Sequence, residues 1–174
     1  MKRYPWYTVI DSNEPLRQGD FINSCPVVVP PKSIVQGAKI KADVFEYNVT
    51  IMSQSCDLEQ KKIDLVLVCP FWSLNELEER SDFFKGREGK ETLRRGNIPA
   101  YHLLNECELQ GFSSNFIVVD FRSVYSVPFQ FLSDFAKNNG KRLRLLPPYR
   151  EHLSQAFARF FMRVGLPIDI PPFK

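Results

Sequence analysis

Two apolar runs lie close together near the middle of the chain, at residues 49–52 and 63–71. Short apolar runs bounded by turn residues read as buried strands. Glu59, Gln60, Lys61 and Lys62 lie between them, so the two are predicted to form a hairpin at the centre of the fold. Residues 43–48 alternate loosely and feed the first of these strands. Upstream, residues 1–15 read as an irregular lead-in. Residues 16–22 read as a turn opening into a short strand, with Gly19 at its tight position. The stretch from Cys25 to Pro31 is apolar but broken by prolines, which suits an edge strand or extended loop. Residues 32–42 form a polar connection.

After Pro70 the pattern turns helical. Ser73 followed by Glu76 is a capping box, predicting a helix to about Phe84, broken by Gly86 and Gly89. A second short helix is expected from Lys90 to Arg95, stopped by Gly96. Together these make a charged insertion over about 73–98. Short strands are expected at 99–104 and 115–121, with residues 123–127 continuing or pairing with the latter. Pro128 opens a helix to about Lys137, closed by Asn138, Asn139 and Gly140. Residues 141–145 alternate charged and apolar, as a half-buried strand does.

Pro147 and Pro148 open a C-terminal helix over about 148–165, with Gly165 and Pro167 terminating it. Its apolar stripe is Leu153, Phe157, Phe160, Phe161 and Val164; His152, Gln155, Arg159 and Arg163 face the other way. Arg150 falls on the apolar side, so it is expected to turn inward and meet a carboxylate such as Asp57 or Asp120. The fold predicted is mainly β (α+β): a small SH3-like barrel or strongly bent antiparallel sheet, with a helical insertion and a C-terminal helix, in one domain over 1–174.

Composition adds limits. At 174 residues with 44% hydrophobic positions and 15 Phe, one core needs no staples. The four cysteines form no C-x-x-C pair and fit no zinc module, so neither metal nor cofactor is expected. Met1-Lys2-Arg3-Tyr4-Pro5 lacks the apolar run of a signal peptide, so none is expected, and no run comes near the roughly 20 residues of a membrane span. A cytoplasmic protein with reduced thiols is expected.

The net charge of +3 is small, but its distribution is uneven. Residues 141–163 carry six basic and one acidic side chain, and residues 85–95 carry five basic and two acidic. Two basic patches attract phosphate; solvated surface charge is the plainer reading.

The chemistry concentrates where the first central strand ends, in Ser53, Ser55, Cys56 and Asp57. Loops at a strand end often carry binding and catalytic groups. A nucleophilic Cys56 needs a base, for which only His102 and His152 are available, and Asp57 beside it opposes a thiolate. A packing cysteine with Asp57 capping a turn is the simpler alternative. Arginine forks at Arg94, Arg95, Arg122 and Arg150 suit phosphate, and Tyr47, Trp72 and Tyr149 suit stacking on bases. Arg159 and Arg163 extend the nucleic-acid-binding set. For each arginine a structural ion pair is the competing reading.

Several blocks resemble PemK/MazF-type toxins. Gln18-Gly19-Asp20-Phe21-Ile22 is similar to their first strand, and Val49-Thr50-Ile51-Met52-Ser53 to their second core strand. Leu67-Val68-Cys69-Pro70 resembles the next strand, and residues 116–124 a later one. The resemblance implies an SH3-like barrel and a metal-independent endoribonuclease, from a toxin–antitoxin or phage-defence locus that also supplies a protein partner. Glu46-Tyr47-Asn48 stands where that family carries an arginine, and Phe71-Trp72 precede Ser73 where it carries a hydroxyl sooner. Losing that arginine removes charge that would stabilise a pentavalent phosphate. A non-catalytic protein-interaction module on the same barrel is therefore the alternative.

Overall fold

The computed structural model describes residues 4–33, 37, 39 and 41–162. Over these it is an α+β fold of eight strands and six helices, with every strand pairing antiparallel. β1 (Tyr7–Ile10) and β8 (Arg142–Leu145) form a two-stranded sheet. The larger sheet runs β2 (Phe21–Val29), β3 (Asp43–Ile51), β4 (Leu65–Ser73), β6 (Ile117–Asp120), β5 (Tyr101–Leu104). β7 (Tyr125–Pro128) pairs with the first half of β4. A bridge from Asp20 to Arg144 ties the two sheets. The path is open at β1 and β5, and among the described residues it closes into no barrel.

The predicted central hairpin is present, with Val49 opposite Pro70, Thr50 opposite Cys69 and Ile51 opposite Val68. β4 organises the sheet because it changes partners along its length. Residues 65–68 pair with β7, and residues 71–73 pair with β6. Pro70, which has no N–H to donate, stands between the two pairings. Three expectations are corrected here. The lead-in contains β1, whose Tyr-Thr-Val-Ile are all good strand formers. Residues 123–127 do not continue or pair with β6; Tyr125–Pro128 pairs with β4. The stretch after Ser53 is not a strand-end loop but α1 (Ser55–Glu59).

The capping box is formed: Ser73 Oγ accepts from Glu76 N–H at 3.2 Å, and Ser73 N–H donates to Glu76 Oε2 at 2.7 Å. The helix it opens, α2 (Leu74–Arg80), stops short of Phe84 because Ser81 is extended, at φ −153°. α3 (Asp82–Lys85) and α4 (Arg87–Arg94) follow. Gly89 does not break a helix. It lies inside α4, where a Cβ would fall 2.0 Å from the Phe83 carbonyl oxygen, so only glycine lets α3 and α4 pack this closely. α5 (Phe129–Asn138) starts after Pro128 as predicted.

In α6 (Tyr149–Phe161), Leu153 is fully buried, and Phe157 and Phe160 pack on Phe121 at 5.4 and 6.2 Å between ring centres. Phe161, expected in the buried stripe, is 62% exposed. Val164, Gly165 and Pro167 lie outside the described residues.

An ion cluster joins β1, β2 and β8. Asp20 is fully buried and accepts from Arg142 Nε at 2.9 Å and from Arg144 Nε and Nη2 at 2.5 and 2.9 Å. Arg142 Nη1 and Nη2 and Arg144 Nη2 also donate to backbone carbonyls, those of Asp11, Ser12, Glu14 and Pro15. The alternation of residues 141–145 thus marks two faces that are both buried. Arg142 and Arg144 leave the supposed basic patch, because buried charge must be paired.

Candidate nucleic-acid interface

The strands and the end of α2 bring five aromatic rings and two arginines together. Tyr47 on β3 stacks on Tyr125 of β7, with centroids 5.4 Å apart and planes 13° apart, and meets Trp72 of β4 edge-on at 6.3 Å. Phe45, exposed, extends the row beside Tyr47 at 6.2 Å. Arg80, the last residue of α2, lays its guanidinium 3.5 Å from the centre of the Trp72 ring. It makes no ion pair or hydrogen bond among the described residues. Arg122 follows β6 and lies 4.6 Å over the ring of Tyr101 on β5. Asp120 holds it in a fork, with Nε and Nη2 donating at 3.0 and 2.8 Å. Arg122 is 57% exposed while its Asp120 partner is buried, so the cation points outward from a fixed base.

The electrostatics tie the two halves. Burial first, then Asp120, raises the Tyr101 phenol above its ordinary pKa, while Arg122 and Arg80 pull it down. Tyr101 therefore feels both guanidiniums. Burial, then a hydrogen bond with Tyr47, raises Tyr125. Arg122 is raised chiefly by its hydrogen bond to Asp120.

The expected site residues divide between this face and a separate polar seam. Arg122 and Trp72 are on the face. Ser53, Ser55, Cys56 and Asp57 are at the seam, where α1 meets the turn before β2 and the first turns of α6. There Ser53 Oγ accepts from Leu67 N–H at 2.8 Å, and Ser55 Oγ accepts from Gln18 N–H at 3.2 Å. Ser154 Oγ accepts from the side-chain amides of Gln18 and Gln54 at 3.4 and 3.3 Å. These hydroxyls latch three elements together.

Cys56 is exposed rather than packed, with Asp57 Oδ1 3.8 Å from its sulfur. Neither histidine contacts it: His102 stacks on Phe121, and His152 meets Tyr149. Asp57 caps no turn through its side chain. Arg150 does turn inward, its stem beside Gly19, but its partner is Glu151 at 2.6 Å rather than Asp57 or Asp120. One helix places the two neighbours within reach, which the wheel argument overlooked. Glu151 is net lowered: burial raises it, and the Arg150 hydrogen bond and other contacts outweigh that.

Arg94 and Arg95 both turn to Glu91 on the exposed side of α4, at 2.8 and 3.6 Å. Arg159 is exposed on α6, and Arg163 lies outside the described residues. Tyr149 spends its stacking face on Trp6, 3.6 Å away with planes 8° apart. Arg80, Tyr101 and Tyr125 were not anticipated. No local spacing marks them, because their neighbours come from distant strands. The one usable signal was a tryptophan immediately before a helix cap, followed by a helix ending in arginine. Compared with protein-family models and with curated proteins, the chain matches none.

Proposed function

We propose that this face binds single-stranded RNA, with bases stacking among Trp72, Tyr47 and Phe45 and phosphates meeting Arg80 and Arg122. The observation that carries the reading is the pairing of a charge-unpaired arginine on Trp72 with a fork-held, outward arginine on Tyr101. Aromatic faces serve any base, and guanidiniums match phosphate geometry. The reading is of binding rather than cleavage: the face offers cations, phenols and one carboxylate already held by Arg122, but no general base next to a nucleophile. Its kinship with PemK/MazF-type toxins, an SH3-like barrel or strongly bent antiparallel sheet and a cytoplasmic setting belong to the same proposal. The antiparallel succession β2, β3, β4 supports it. No helix among the described residues is long and apolar enough to cross a membrane.

Fluorescence anisotropy with a labelled oligouridylate tests it. Saturable binding is expected, with a log–log salt slope of about −1.4 for two phosphate contacts. Arg80→Ala and Arg122→Ala should each lower the slope. Salt-independent binding, or none at low salt, removes the proposal. A protein-partner reading has one support, the exposed Val28, Val44 and Phe45 at the β2–β3 end, 64, 63 and 45% exposed. It predicts that Val44→Lys abolishes a partner complex and leaves RNA binding intact.

A further inference from the structure

A cavity of about 260 Å³ opens away from the aromatic face, between the start of β2, the start of β8, the end of α5 and the loop 107–114. Its floor is apolar. Phe21 and Phe71 meet edge-to-face at 5.2 Å, and Ile117, Leu143 and Phe112 complete the lining. The loop that forms one wall is fixed rather than slack. Cys107 and Ser114 exchange backbone hydrogen bonds of 3.0 and 2.9 Å, and Phe112 N–H donates to the Leu109 carbonyl. Phe112 packs on the core from that loop.

The polar lining is Asn23, Ser113, Ser114, Asn139, Lys141 and Arg142, and its charges are of one sign: no carboxylate among the described residues lines the cavity. The Arg142 guanidinium is committed to Asp20 and to backbone carbonyls. Lys141 is the available cation: its pair with Asp11 is long, at 3.4 Å, and both side chains are mostly exposed. Such pairs hold weakly. Ser113, exposed, supplies a hydroxyl, while the buried Ser114 Oγ has no hydrogen-bond partner among the described residues. Buried hydroxyls usually have one.

We propose that this cavity binds a small aromatic carboxylate, its rings on the phenylalanine floor and its charge at Lys141. Clefts with an apolar floor and convergent polar groups are the usual form of a small-molecule site. The edge-to-face floor of Phe21 and Phe71 suits a flat aromatic ring. One weakly paired lysine with a hydroxyl beside it suits a single negative charge better than a phosphate dianion.

The test is an NMR titration of the ¹⁵N-labelled full chain with indole-3-carboxylate, using indole-3-carboxamide as the neutral match. Saturable shifts are expected at the amides of Phe112, Ser113, Ser114 and Leu143, with the acid bound about tenfold more tightly than the amide. Lys141→Met should erase that tenfold preference and leave the amide's affinity unchanged. Ser113→Ala should weaken the acid without lowering the melting temperature, since that exposed side chain makes no hydrogen bond among the described residues. Absent or scattered shifts overturn the proposal. So does equal affinity for acid and amide, or an acid preference that survives Lys141→Met. RNA binding at the other face is unaffected by either result.

Discussion

Arginine is used in two opposite ways in this molecule. Around Asp20, Arg142 and Arg144 are 5 and 7% exposed, and carboxylate or carbonyl oxygens meet their donors. On the aromatic face, Arg80 has only a ring beneath it, and Arg122 spends one edge on Asp120 while its side chain is 57% exposed. The difference lies in access. A guanidinium buried inside the fold against carboxylate and carbonyl oxygens specifies strand pairing and is closed to a ligand. One held over a ring at the surface is positioned and open.

The largest effect should come from breaking the buried centre. Asp20→Ala leaves two buried cations uncompensated, and losing one partner of such a group costs roughly 3–5 kcal/mol. That is a large part of an ordinary stability of about 5–15 kcal/mol, and urea denaturation followed by circular dichroism will show it as a lowered midpoint. Replacing all three residues by apolar ones of similar size should recover much of the loss. An unchanged urea midpoint for Asp20→Ala would mean that the cluster contributes nothing.

Acid probes the sheet beneath the face. Burial, then the nearby His152 charge, pushes His102 down to about 4. The unfolded chain takes up this proton near pH 6.5, and the folded one only near pH 4. Stability is therefore present above pH 6.5 and is lost as pH falls through this window, by up to about 2 kcal/mol at pH 5. His102→Phe should remove that part of the loss in urea midpoints measured at pH 7 and 5.

On the aromatic face the same class of substitution should change binding and spare the fold. Trp72→Leu should weaken RNA by roughly 1–3 kcal/mol, the worth of one stacked base. Arg80→Ala should weaken it about tenfold, with a change in stability under about 0.5 kcal/mol, because its side chain holds no ion pair or hydrogen bond among the described residues. A large stability loss with Arg80→Ala would erase the contrast between the two regions. The smallest effect is expected at the seam. Cys56→Ser should alter stability by less than about 0.5 kcal/mol because the thiol is exposed. Melting temperature and RNA affinity, measured together, check it.

Much of the scaffold was legible where the signal is local. The capping box at Ser73 and Glu76, the central hairpin and the helix after Pro128 each depend on neighbours within a few residues. The ion cluster was not legible. Alternation in residues 141–145 shows that a strand has two unlike faces; it does not show that the charged face meets water. Its carboxylate, Asp20, lies more than 120 positions away. The site was half legible for the same reason. Trp72 and Arg122 were read as candidates from residue type, but the rings beneath the two arginines arrive through β-pairings and the fold-back of α2. Arg150 shows the converse: its inward direction followed from helical periodicity, and its partner proved to be the next residue.

The most direct test uses the only tryptophan at the face. With Trp6→Phe, which keeps an aromatic ring for Tyr149 to stack on, Trp72 becomes the sole tryptophan of the chain. Titration with oligouridylate at low salt is then followed by tryptophan emission. The account predicts saturable quenching with the same midpoint as anisotropy, and its loss when Arg80→Ala and Arg122→Ala are combined. RNA binding seen by anisotropy with no change in Trp72 emission would place the interface elsewhere and contradict it.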